Sequence, residues 1–154
     1  MRMRRYTQGI AGFVLALVLQ LPANAADSAF DTDQYSGKVV LLDFWASWCQ
    51  PCLRSFPWMN EMQRKYGSDG LVIVAVNVDN DRAAAQRFLA ENPARFRVQF
   101  DEDKAMAREY EIVAMPSSFL IGRDGKLVEQ HLGFKVLQQE DYEAAIRSAL
   151  GDTQ

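Results

Sequence analysis

The sequence predicts one three-layer α/β domain, a mixed central sheet held between helices. Apolar, strand-like runs alternate with amphipathic, helix-like stretches, which implies parallel pairing. Two further β-type runs flank Asp124-Gly125 near the end of the chain, which adds an antiparallel hairpin. With 154 residues, 49% of them hydrophobic, the chain is long enough for one core and too apolar for a disordered or low-complexity protein.

The elements follow in order. Met1 to Gln8 carries three arginines and no acid, Gly9 to Leu21 is an apolar stretch broken only by Gln20, and Ala23-Asn24-Ala25 completes the order of a secretory signal. Residues 1–25 are therefore read as a signal peptide cleaved after Ala25. Retention as an N-terminal anchor stays open, although the run is shorter than the ~20 residues a spanning helix needs. Residues 26–37 form a short polar tail and 38–151 the domain. Val39 to Trp45 is nearly continuous apolar sequence, as in a central strand covered on both faces. Gln50 to Tyr66 is helical, with Leu53, Phe56, Met59, Met62 and Tyr66 as its buried stripe, a kink at Pro57 and an end at Gly67. Leu71 to Val78 is a second buried strand. Asp81 caps a helix over Arg82 to Glu91 that Asn92-Pro93 stops. A short strand (Phe96 to Phe100), a short helix (Lys104 to Tyr110) and the hairpin (Ser117 to Ile121, Lys126 to Gly133) precede a closing helix. That helix carries Tyr142, Ala145, Ile146, Ala149 and Leu150 on its apolar face.

Charge narrows the partners. The chain has 17 Lys and Arg against 20 Asp and Glu, and three of the arginines (Arg2, Arg4, Arg5) lie in the leader, so the mature domain is acidic and nucleic acid is not an expected partner.

The chemistry points to Trp48-Cys49-Gln50-Pro51-Cys52, which holds both cysteines of the chain where a buried strand gives way to a helix. A thiol at a helix N-terminus meets free N–H groups and the positive end of the macrodipole, which favour the thiolate. Cys49 is thus the expected nucleophile. Cys52, one turn on, is placed to resolve a mixed disulfide, and Pro51 suits a first turn that needs no N–H from it. A purely stabilising disulfide is the bland alternative, but so short a loop removes little unfolded-state entropy, on the order of 2 kcal/mol. A closed zinc site would want four ligands, and the chain offers two thiols and one histidine, His131. Copper held by Cys49 and Cys52, with or without His131, remains a competing reading.

Leu42-Asp43-Phe44-Trp45-Ala46-Ser47-Trp48-Cys49-Gln50-Pro51-Cys52, with Pro57 and the distant Met115-Pro116, resembles the thioredoxin superfamily. Phe56 to Asn60, Val74 to Asp79 and Pro116 to Ile121 running into Asp124-Gly125-Lys126 resemble its exported disulfide-reductase branch, TlpA/ResA-like and related to cytochrome c maturation proteins. The resemblance spans Gly37 to Leu150 and implies a thioredoxin-like fold. It implies that Met115-Pro116 is a cis peptide beside the sulfurs, with Met115 free to pair with an extended substrate; a simple strand-initiating proline is the alternative. It implies that Asp43, a carboxylate in an apolar strand, moves the proton of Cys52, against the alternative of a solvated Asp. Trp48 resembles an exposed docking tryptophan. Ser55 stands where many exported relatives have Glu, so the proton acceptor has moved to Asp43.

The resulting expectation is a periplasmic thiol–disulfide oxidoreductase, monomeric and without organic cofactor or metal. Its catalytic residues are Cys49, Cys52, Asp43 and Pro116, and its substrate contacts Trp48, Pro51 and Met115. Gln50-Pro51 resembles reducing members of the superfamily, so reduction is expected and disulfide donation is the alternative. Its partners would be exported proteins with thiols or disulfides and a membrane electron donor of the thioredoxin-relay type.

Overall fold

A computed structural model describes residues 30, 31 and 33–151. The leader, its cleavage site and residues 26–29 and 32 of the tail lie outside the described residues. Five strands and four helices follow in the order β1 (Val39–Trp45), α1 (Gln50–Tyr66), β2 (Leu71–Asn77), α2 (Arg82–Glu91), β3 (Arg97–Phe100), α3 (Ala105–Glu109), β4 (Ser117–Ile121), β5 (Leu127–Leu132) and α4 (Gln139–Leu150). Short 3-10 turns at Asp33–Tyr35 and Val136–Gln138 precede β1 and α4.

The sheet order is β3-β2-β1-β4-β5. β1, β2 and β3 run parallel, while β4 and β5 are antiparallel additions. The mixed sheet is thus the expected one, and the chain turns between its last two strands through Gly125, whose φ of +76° suits a residue without a Cβ. β1 lies at the centre with every residue buried, which is why it reads as an apolar run broken only by Asp43. Its alternate side chains serve two layers. Trp45 meets Phe56 of α1 and Phe88 of α2 on one face, whereas Phe44 meets Tyr110 and Phe119 on the other. Leu41 lines a small cavity with Trp58 of α1 and Ile146 of α4. Three helices therefore cover the Leu41–Asp43–Trp45 face and only the short α3 covers the opposite one.

Asp81 caps α2, accepting from the Ala83 N–H at 2.9 Å. α1 continues through Pro57, whose ring faces solvent. The buried stripe of α1 differs from expectation in its first turns: Leu53 drops out, while Cys52, Ser55 and, further on, Trp58 are buried as well. The buried set is Cys52, Ser55, Phe56, Trp58, Met59, Met62 and Tyr66, and Leu53 is 40% exposed. Cys52 takes the inward position in the first turn, which rotates Leu53 by roughly 100° towards solvent. At the end of the sheet away from the cysteines, the Arg123 guanidinium donates to the carbonyls of Gly37, Asp69 and Leu150 at 2.7, 2.8 and 3.3 Å.

Candidate active site

β1 ends at Trp45 and the chain turns through Ala46-Ser47-Trp48 into α1. Cys49 is the N-cap of α1: its backbone is extended (φ −87°, ψ 103°) and its Sγ accepts the Cys52 N–H at 3.2 Å. The sulfur thus occupies the place of a capping oxygen, facing the free amides of the first turn, where a thiolate is stabilised. Cys49 and Cys52 form a disulfide with an S–S distance of 2.04 Å. Cys49 is 5% exposed and Cys52 fully buried, so of the two residues only the first reaches the surface at all.

Asp43 lies 1% exposed, on the α1 and α4 face of β1 and one strand step inward from Trp45. Cys52 shares the inward stripe of α1 with Phe56, which stacks edge-on against Trp45, so Asp43 sits under the same helix. Ser118 Oγ donates to Asp43 Oδ1 at 2.5 Å, and Oδ2 is buried with no partner among the described residues. Desolvation pushes the Asp43 carboxyl up to about 7, the Ser118 hydrogen bond restraining the rise. A solvated Asp43 is therefore set aside in favour of a buried carboxyl that titrates near neutrality.

Met115-Pro116 is a cis peptide, as the resemblance implies. The pairing of β4 with β1 begins at Ser117 opposite Phe44, so Met115 and Pro116 lie just ahead of it, at the sheet end that carries the disulfide. Cys49 N–H donates to Ala46 O at 3.1 Å in that same turn. Pro116 is buried and Met115 half-buried, while Trp48 stands 69% exposed. Pro51 sits half-buried in the first turn of α1.

His131 lies elsewhere. It stands on β5 opposite Ser118, with its ring 4.4 Å from that of Tyr142 and its Nε2 3.6 Å from Glu129. Among the described residues no three His, Cys, Asp or Glu side chains gather as a metal-holding group, so the Cys49, Cys52 and His131 set of the copper reading is not assembled.

Sequence reasoning assigned no role to the clamp that holds the active-site turn. Asp79 is 6% exposed and accepts from Ser47 N–H at 2.8 Å, Ser47 Oγ at 2.9 Å and Asn77 Nδ2 at 2.7 Å. Lys104 Nζ donates to the Asp79 carbonyl at 2.8 Å. Two polar residues at the carboxyl end of a buried strand, Asn77 and Asp79, were the available signal, because sites in open α/β sheets gather at that end.

Fold and site together define a thioredoxin-like domain with a disulfide at the head of its first helix. A Redoxin family model matches residues 15–146, and the chain belongs to that family, in its ResA/TlpA-like thioredoxin branch. It is 35% identical over 109 residues to the thiol-disulfide oxidoreductase ResA of Bacillus thuringiensis, covering 70% of this chain and 63% of that one. ResA of Bacillus subtilis is 38% identical over 93 residues, covering 60% and 52%. The chain thus spans less than two thirds of the length of these relatives. A Chlorobium tepidum protein named as a thiol:disulfide interchange protein, DsbE, superposes with a TM-score of 0.75 at 50% identity, covering 77% of this chain and 84% of that one.

Proposed function

We propose that this protein is an extracytoplasmic thiol–disulfide oxidoreductase, periplasmic and delivered by a cleaved leader, that reduces disulfides in exported proteins. The observation that carries the reading is the Cys49–Cys52 disulfide itself, set at a helix N-terminus with the more accessible sulfur as the cap. The names of the relatives support thiol–disulfide exchange; the leader and the Gln50-Pro51 pair support export and reduction.

In the reducing direction the Cys49 thiolate attacks a substrate disulfide. A mixed disulfide forms and one substrate thiolate leaves. Cys52 gives its proton to the Asp43 carboxylate and attacks the Cys49 sulfur, which forms the Cys49–Cys52 bond and releases the second substrate thiolate. The dithiol loses two electrons and the substrate disulfide gains them. Met115, ahead of the cis-proline, offers backbone for an extended substrate segment, and exposed Trp48 with Pro51 provides the surface it meets. A membrane electron donor then returns the pair to its dithiol form.

Equilibration in graded glutathione buffers, read by thiol alkylation, tests the direction. A potential near the roughly −270 mV of thioredoxin supports reduction, one near the roughly −120 mV of DsbA reverses the direction to disulfide donation, and the lack of a reversible couple sinks the exchange mechanism. A Cys52→Ser protein is expected to accumulate mixed disulfides with exported partners.

A further inference from the structure

Three side chains stand side by side on the sheet face that α1 and α4 cover. Asp43 of β1 lies opposite Ser118 of β4, and Ser118 lies opposite His131 of β5. Directly opposed residues share a face, with Cβ atoms about 4.5–5.5 Å apart. The row leads from a carboxyl 1% exposed to a histidine whose side chain is 18% exposed. On the other side of Asp43 its register partner is Ala75, whose side chain has no exchangeable proton, and the helix that covers this face, α1, holds the fully buried Cys52. Ser118 is the polar way out.

The first link is made, since Ser118 Oγ donates to Asp43 Oδ1. The second has room for one water. Ser118 and His131 line a cavity of about 10 Å³ together with Leu41, Trp58, Tyr142 and Ile146, about the volume that admits a single water. A buried water wants two to four polar partners. Three of the lining residues carry groups able to serve: Ser118 its hydroxyl, His131 its ring nitrogens, and Trp58 its indole N–H, which is buried and meets no acceptor among the described residues.

We propose that Ser118, one water and His131 form the path by which Asp43 exchanges its proton with solvent. The proposal rests on the reading of Asp43 as the acceptor for Cys52. Once Asp43 has taken the Cys52 proton, it passes a proton to the Ser118 oxygen as the Ser118 hydroxyl gives its own to the water. The water protonates neutral His131, and the imidazolium releases that proton to solvent. One proton leaves for each resolving attack, and no electron travels this path. The titratable groups facing the row are Glu129 beside His131 on β5, Tyr142 from α4 and, in the dithiol form, Cys52 from α1. Burial holds His131 below the ordinary histidine value, with Glu129 pulling the other way, so a neutral ring is available to accept near pH 7.

The test is single-turnover oxidation of the reduced protein by a small disulfide, followed by tryptophan fluorescence from pH 5 to 9, with and without added imidazole. His131→Ala is expected to slow the resolving step roughly fivefold to tenfold near pH 7 and to regain at least threefold with imidazole, as a shuttle replaced from solution does. Ser118→Ala is expected to be similarly slow but deaf to imidazole, and Ser118→Thr, which keeps the hydroxyl, to run at the parent rate. If His131→Ala and Ser118→Ala stay within twofold of the parent at every pH while Asp43→Asn is slow, the path falls and Asp43 stands. If Asp43→Asn also keeps the parent rate, both readings fall.

Discussion

Asp43 and Asp79 are both buried near the disulfide end of the sheet, and the fold surrounds them in opposite ways. Asp79 receives three donors on its two oxygens, two of them from Ser47 in the turn that leads to Cys49. Asp43 receives one, from Ser118, and its second oxygen has none among the described residues. A buried carboxylate with a full set of donors is a fastener, since removing it strands every group it satisfied. One with a single donor stays poised between charged and neutral forms. Donor count separates scaffold from acid–base chemistry among residues of identical type.

The contrast can be broken from either side. Asp79→Ala leaves Ser47 N–H, Ser47 Oγ and Asn77 Nδ2 without their acceptor. At roughly 1–3 kcal/mol for a buried orphan, and less for the two part-buried Ser47 donors, a loss on the order of 4 kcal/mol is expected in urea unfolding, and a loss below about 1 kcal/mol would show the clamp to be idle. Asp43 acts through pH. Its carboxyl ionises at an ordinary 3.8 in the unfolded chain and near 7 in the folded one, so the folded protein holds an extra proton between those values. The stability this lends is complete below about pH 4 and lost as pH rises through 7. At about 1.36 kcal/mol per pH unit the loss is on the order of 4 kcal/mol. Asp43→Asn should flatten the stability profile across that window, and a parent-like slope in the variant would assign the proton elsewhere. Ser118→Ala sharpens the comparison: without its donor the Asp43 midpoint should rise by about one unit, the worth of one hydrogen bond to a charged acceptor, as read from the carboxyl signal in infrared titration. The smallest effect is expected at Trp48. Trp48→Ala should change stability by less than about 0.5 kcal/mol because the ring is exposed, yet weaken capture of protein substrates by the Cys52→Ser trap.

Much of this was legible in local sequence. β1 and β2 show as apolar runs, Asp81 as a cap, Asp124-Gly125 as a hairpin turn, and the two cysteines as a pair at a helix start. The hidden parts depend on pairings between residues far apart in the chain. Ser118 reaches Asp43 across 75 residues and Asp79 reaches Ser47 across 32. The 3.6-residue period of α1 cannot say by itself that Cys52 rather than Leu53 faces inward. His131 shows the same limit: as the only histidine it drew attention as a metal ligand, and only the β4–β5 register places it opposite Ser118.

The Arg123 guanidinium gathers Gly37, Asp69 and Leu150 at one pole, whereas the disulfide occupies the other. The seven residues of β1 separate the two by roughly 23 Å at the usual rise per strand residue. Any attachment made ahead of Gly37 or behind Leu150 therefore leaves from the pole remote from Cys49. A lipid surface, a resin or a fused domain joined at either place would carry the reactive sulfur facing outward, accessible to macromolecules arriving from the opposite direction.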